Sequence, residues 1–256
     1  MMSTPIPMTI HNFELRQVGD VEFFVNTQLE HAGFKNAFST RSAGTAASAE
    51  NRARLLSAVG AADSTLVISR QVHSADVRIV RDLNDARSEP VTGDALTAQL
   101  KGVTLGVQTA DCLPLLIGDE RTGAFAAVHA GWRGTLKGIL ARTIETMQHE
   151  FETRSPDAVI AIGPGLQQCC FEVGPEVDEA FRNHFSYGTS LFSRKSPDEK
   201  GHLDLVEANI RQLVEMGVSR DRIYVSDLCT KCRNDIFFSH RGGRTPGARM
   251  IGVIGH

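Results

Sequence analysis

No stretch of this chain is apolar for long enough to cross a bilayer as a helix. The region around Val103 to Ile117 comes nearest, and Gln108, Asp111 and Pro114 break it, far short of the roughly 20 apolar residues a membrane helix needs. The opening MMSTPIPMTIHNFELRQ has no basic stretch leading into an apolar one and no small-residue cleavage site, so no secretory signal is expected. An excess of one charge is lacking too. With 27 Lys and Arg against 30 Asp and Glu, the formal net charge is −3, and no global field favours nucleic acid or an anionic membrane. Cysteine is sparse and odd in number: five residues cannot all pair, and their spacing lacks the density of a small secreted scaffold. Reduced thiols and a cytoplasmic location are expected. There is no internal repeat, no low-complexity tract and no Pro/Ser-rich linker. Since one core can serve roughly 250 to 300 residues, a single domain over 1–256 is expected, with polar Ser186 to Gly201 as a surface loop.

What is present is 41% hydrophobic and 22% charged, an ordinary globular mixture. Short β-branched or alternating runs predict strands at Val21 to Asn26, Leu66 to Gln71, Val77 to Arg81, Val103 to Gln108, Leu113 to Asp119, Phe125 to His129, Ala158 to Ile162, Arg222 to Ser226 and Arg249 to Ile254. Apolar residues at three- and four-residue spacing predict helices over Ser48 to Val59, Leu136 to Phe151, Pro175 to His184 and Asp204 to Met216. The strands cluster mid-chain without alternating strictly with helices, so an α+β fold with mixed β-sheet layers flanked by helices is expected.

Three segments carry chemistry. QVHSADV, TADCLPLLIGD and AVHAGWRG each put one soft or borderline metal ligand at a strand end or in the next turn: His73, Cys112 and His129. Imidazole and thiolate suit zinc or copper, whereas magnesium wants oxygen. The ligands lie 39 and 17 residues apart, so only the fold can bring them together. Taken singly, each reads more readily as a loop histidine, a small buried apolar residue and a strand-end histidine. The neighbourhood changes the balance, because Asp111 and the run Gly131, Trp132, Arg133, Gly134 add a carboxylate, a guanidinium and close turns where strands stop.

TADCLPLLIGD, AVHAGWRGTLKGIL, AIGPGLQQCCFEVGPEV and DLCTKCRNDIFFSHRGGRTPGARM, in that order, resemble the YfiH family. Its members were once called polyphenol oxidase or laccase domain proteins and are now described as purine nucleoside phosphorylases with adenosine deaminase side activity. The resemblance runs from about Phe38 to Ile254. It implies a YfiH-like fold and a zinc triad on His73, Cys112 and His129, with copper as the alternative ion. It also implies phosphorolysis of adenosine, inosine, guanosine and S-methyl-5'-thioadenosine, and adenosine deamination as a second reaction. Zinc with three protein ligands keeps a fourth position for water or substrate. Asp111 could then move protons, and guanidiniums would hold phosphate, Arg41 first and then Arg133, Arg241 and Arg244. Asn51 and Arg52 match a family pair but open a helix and are expected only to fasten it. Purine nucleoside and phosphate are the expected partners, with no nucleic acid and no membrane, and the chain is expected as a monomer or weak homodimer.

Of the other cysteines, Cys169 and Cys170 are expected to serve packing, and Cys229 and Cys232 are left without an assigned role. Cys169 and Cys170 are adjacent, and neighbouring side chains point apart on extended backbone. Cys229 and Cys232 form a CxxC with no second CxxC, and the family usually carries only the first of them, so a second metal site is not expected. GPG and GRTPG lack a following GK[ST] and read as turns, not phosphate loops. Two departures from the family bear on substrate preference: a shorter loop between Thr40 and Asn51, and GRTPGARM in place of GRTGRM. Other functions stay open. A copper-dependent phenol oxidase would need paired HxH motifs, absent among the nine histidines. A cysteine hydrolase would use Cys112 with a histidine base, and a cell-wall precursor editing factor would act on a nucleotide-linked muropeptide.

Overall fold

The structure is a computed structural model that describes residues 9, 10, 12–88, 91–194, 200–243 and 245–256. Its strands are β1 Thr9–Ile10, β2 Phe13–Val18, β3 Val21–Asn26, β4 Lys35–Ser39, β5 Thr65–Ile68, β6 Val77–Val80, β7 Ala95–Ala98, β8 Val103–Thr109, β9 Leu113–Asp119, β10 Ala124–Ala130, β11 Val159–Ile162, β12 Phe192–Ser193, β13 His202–Leu203, β14 Ile223–Val225 and β15 Met250–Gly255. The helices are α1 Thr27–His31, α2 Ala49–Ala58, α3 Leu83–Ala86, α4 Trp132–Leu136, α5 Ile139–Phe151, α6 Pro175–His184 and α7 Leu205–Glu215. The nine strands expected from the sequence all form, within a few residues of their expected ends. Of the four expected helices, three match closely. The fourth is divided, because Gly138 takes a left-handed backbone (φ 74°) that separates α4 from α5. Segment 186–201 holds more than a surface loop: a 3-10 turn at Gly188–Leu191 buries Leu191 fully, and residues 195–199 lie outside the described residues.

Two mixed sheets organise the chain. The first runs β1-β2-β3-β4-β15-β8-β5 and the second β14-β11-β9-β10-β7-β6. Most neighbours are antiparallel, while β5–β8, β11–β14 and β6–β7 are parallel. This is the α+β layout of mixed layers that the sequence pattern indicated.

Alternation along the central strands fixes the layering. In β9 and β10, Leu113, Leu115, Ile117, Ala126, Val128 and Ala130 face one way and pack with residues of α5, α6 and α7. Leu116, Phe125 and Ala127 face the other way and meet Phe13, Phe24, Phe38, Leu105 and Met250 of the first sheet. The far side of the first sheet presents Phe23, Val25, Ala37, Ile251 and Val253 to Leu55 of α2. The order of layers is therefore helix, sheet, sheet, helices. Local signals start the covering helices: Ser48 and Asp204 cap α2 and α7 through side-chain bonds to Asn51 and Glu207 N–H, and Pro175 opens α6.

Close approach between layers demands glycine at one point on β9. A Cβ at Gly118 would lie 2.5 Å from the Phe34 ring, which is itself fully buried, so neither side can give way. Replacing Gly118 with Ala is expected to lower stability by about 1–3 kcal/mol through overpacking, read as a lower midpoint in urea unfolding.

Candidate functional site

Each ligand residue reaches the site from a different connection. His129 occupies the face of β10 that carries Phe125 and Ala127, so strand alternation sends it between the sheets, near their edge. Cys112 lies in the turn between β8 and β9, and His73 in the loop joining β5 to β6. That loop is anchored by Asp94, the residue before β7, which is fully buried. Its carboxylate accepts the N–H groups of Val72 (3.1 Å), His73 (2.9 Å) and Ser74 (2.7 Å), and the Ser74 hydroxyl (2.9 Å). It also accepts His129 Nδ1 at 2.8 Å. One carboxylate thus orients both histidines, and nothing in the sequence pattern had singled it out. His73 and Asp111 hold left-handed backbone, at φ 59° and 90°, conformations that non-glycine residues keep only where their surroundings fix them.

The three side chains converge. Their ligand atoms lie within 4.8 Å of one another, Cys112 Sγ is 3.7 Å from His73 Nε2, and the two imidazoles meet edge to face at 4.9 Å. Because Asp94 occupies His129 Nδ1, Nε2 is the nitrogen left for the site. Gly131 makes room for the cluster: a Cβ there would come within 2.8 Å of Cys112 Sγ and 2.9 Å of His73 Cδ2. Burial pushes the Cys112 thiol up, yet hydrogen bonds with His129 and His73 outweigh it and bring the thiol down to about 6. Burial likewise lowers His129, but Asp94 and then Cys112 hold the imidazolium and raise it to about 9. Asp94 resists its own burial through bonds from His129, Ser74 and Val72 and stays well below the usual carboxylate range.

The triad forms one wall of a cavity of about 640 Å3, a size typical of small-molecule sites. Trp132, Phe171, Leu166 and Leu205 supply apolar surface, and four guanidiniums line it: Arg70, Arg133, Arg241 and Arg249. Arg133 stacks on the Trp132 ring at 4.2 Å. Arg249 bonds its neighbour's carbonyl, Ala248 O, and Arg241 bonds Glu172 O. Among the described residues, Asp111 is the only carboxylate on the wall. It is engaged: Thr230 and Ser239 hydroxyls donate to Oδ1 at 2.6 and 2.7 Å, and Arg241 N–H to Oδ2 at 2.7 Å. Asp111 thereby ties its own turn to the connection between β14 and β15, a tethering role that the expectation of a proton-moving group had not included.

Arg41 is corrected more fully. It is not among the lining residues, because Phe237 O and Thr245 Oγ1 accept from its guanidinium and the Phe238 ring lies 4.4 Å beneath it. It braces the segment around Thr245 instead. Arg244 lies outside the described residues. Asn51 and Arg52, expected to fasten α2 to the sheet, bond the 45–47 loop instead through Thr45 O and Ala46 O. Sequence reasoning missed Arg70 and Arg249, each of which stands at the end of a predicted strand.

The extended backbone expected at Cys169 and Cys170 does not form. Cys169 and Cys170 stand in a turn, not on extended backbone, with Cys170 N–H donating to Gln167 O. Their sulfurs meet those of Cys229 and Cys232, all four within 4.8 Å of one another.

Two sheets, a partly buried histidine–cysteine–histidine cluster and an arginine-lined cavity define a small-molecule site able to hold a soft metal ion. A family model described as multi-copper polyphenol oxidoreductase laccase matches residues 29–256. A purine nucleoside phosphorylase of Bacteroides thetaiotaomicron is 36% identical over 213 residues, covering 80% of this chain and 79% of the relative. Adenosine deaminase RL5, from an unknown prokaryotic organism, is 37% identical over 197 residues, 73% of this chain and 74% of its own. The crystal structure of YlmD from Geobacillus stearothermophilus superposes with a TM-score of 0.85 at 30% identity, covering 94% of this chain and 98% of that one. The chain belongs to this laccase-like family of YfiH and YlmD purine nucleoside phosphorylase homologues.

Removing Asp94 strips the acceptor from a buried imidazole and from three amides. Asp94→Ala is expected to cost about 3–5 kcal/mol, the scale of breaking a buried charged pair, and Asp94→Asn less, both measured by urea unfolding.

Proposed function

We propose that this chain is a purine nucleoside phosphorylase that uses zinc on His73, Cys112 and His129 to cleave adenosine, inosine, guanosine and S-methyl-5'-thioadenosine. The observation that carries the reading is one cavity in which a metal-competent triad faces four guanidiniums and a single, already engaged carboxylate. The donor set fits the ion: two imidazoles and a thiolate suit zinc, and Asp94 on His129 Nδ1 supplies the orienting partner that metal-bound histidines ordinarily have. Zinc held there would supply a Lewis acid with one position open.

The chain's own residues account for the rest. The guanidiniums would gather phosphate beside the sugar by charge-assisted hydrogen bonds. Trp132 and Phe171 would offer flat apolar surface to the purine, and Leu166 and Leu205 would exclude water from it. Phosphate oxygen then bonds to the anomeric carbon as the glycosidic bond breaks, its electrons leaving with the purine. Free base and ribose 1-phosphate result. Positive charge developing on the sugar is met by the phosphate dianion itself, so holding that dianion is the arginines' contribution to rate. Hydrolytic deamination of adenosine in the same cavity is the proposed side activity, supported by the likeness to a relative named as an adenosine deaminase.

Other chemistries find less support. Among the described residues only two clusters of three or more soft or acidic ligands occur, too few for an oxidase with several copper ions. A thiol hydrolase on Cys112 would work without metal, so chelation separates the two. An editing factor would turn over a nucleotide-linked muropeptide faster than inosine.

Zinc-replete protein is expected to release hypoxanthine from inosine only when phosphate is present, and Cys112→Ser to lose both triad zinc and turnover. Absence of turnover with inosine, adenosine and methylthioadenosine overturns the reading, as does full activity under chelator. Arg133→Ala is expected to raise the KM for phosphate about tenfold, the loss of one charged hydrogen bond, in steady-state assays varying phosphate.

A further inference from the structure

The four remaining cysteines form a cluster that the proposed reaction does not use. Two connections build it. Gly165 and Cys229 form a parallel bridge, with Gly165 N–H donating to Leu228 O and Thr230 N–H to Gly165 O. This pairing holds the turn at Cys169 and Cys170 against the loop bearing Cys229 and Cys232. Cys170 Sγ lies 3.4 Å and Cys169 Sγ 3.7 Å from Cys232 Sγ, and no pair of the four sulfurs is more than 4.8 Å apart. All four thiols are free.

These separations match a tetrahedron of thiolates. Zinc–sulfur bonds of about 2.3 Å place the corners of such a tetrahedron about 3.8 Å apart. The cluster is graded in exposure, with Cys229 buried, Cys170 half-buried and Cys169 and Cys232 exposed, so an ion could enter from solvent. No carboxylate belongs to the ligand group, which disfavours calcium or magnesium.

We infer that Cys169, Cys170, Cys229 and Cys232 form a second metal site, a closed four-thiolate shell for a zinc-class ion. With no open position, the site is structural. It would clamp a cavity wall, since Leu166 and Phe171, which line the cavity, flank the Cys169–Cys170 turn. Arg241 is joined to that wall through Glu172 O and the Phe171 ring.

Full-length protein, purified under reductant, loaded with zinc and desalted, is expected to carry about two equivalents. His73→Ala and Cys232→Ser should each carry about one, and the double variant none. Cobalt added to His73→Ala should give the intense thiolate-to-cobalt absorption of a four-sulfur site, a readout that needs no cysteine variant to fold. Cys232→Ser should keep phosphate-dependent inosine cleavage while melting at a lower temperature. A single equivalent lost entirely in His73→Ala overturns the inference. So does intact-mass evidence that Cys170 and Cys232 join as a disulfide in the metal-loaded protein. Both readouts are independent of turnover, so they stand even if inosine is not a substrate.

Discussion

The Asp94 carboxylate is the constraint on which the site depends. A buried charge is tolerable only when it is fully hydrogen-bonded, and here the compensation comes from the loop carrying His73 and from the ring of His129. The requirement to satisfy one anion therefore fixes two ligand residues that are far apart in sequence. It also explains how His73 keeps a left-handed backbone on a connection that would otherwise relax. Cys112 joins through a different anchor, the neighbouring Asp111, whose carboxylate gathers Thr230, Ser239 and Arg241 N–H. Two acids, one behind the histidines and one beside the cysteine, brace the pocket.

The charge pattern of the whole chain and that of the cavity differ. A net charge of −3 gives no long-range pull on phosphate, yet the cavity concentrates Arg70, Arg133, Arg241 and Arg249 around one engaged carboxylate. Positive charge is thus local, delivered by a strand end, a short helix and the connection before β15.

Much of this was legible in the residues, and the failures have physical causes. Long alternating or β-branched runs announced nine strands, because such runs fit a pleated, half-buried surface. β4 could not be bounded in the sequence because KNAFS hides a buried asparagine: Asn36 trades hydrogen bonds with the Asn26 backbone instead of showing an apolar face. β7, ALTA, is too short and small-sided to show a period. The ligand triad was legible from residue type and motif context. Its second layer was not, since an aspartate before a strand has no signature until its partners are folded around it. Arg41 misled because a guanidinium after a strand end looks free in sequence, whereas here a carbonyl, a hydroxyl and an aromatic ring capture it. The paired cysteines misled through an assumption of extended backbone that a three-residue turn invalidates.

The position of β15 has a kinetic consequence. It lies in the middle of the first sheet, bonded on one side to β4 and on the other to β8, although it follows the other described strands in sequence. Until residues 250–255 leave the ribosome, β4 and β8 have no partner between them and that sheet is two separate fragments. Such pairing at long sequence separation is slow to form, and Arg249 reaches the cavity only when it does. The site is thus complete only once β15 has paired with β4 and β8.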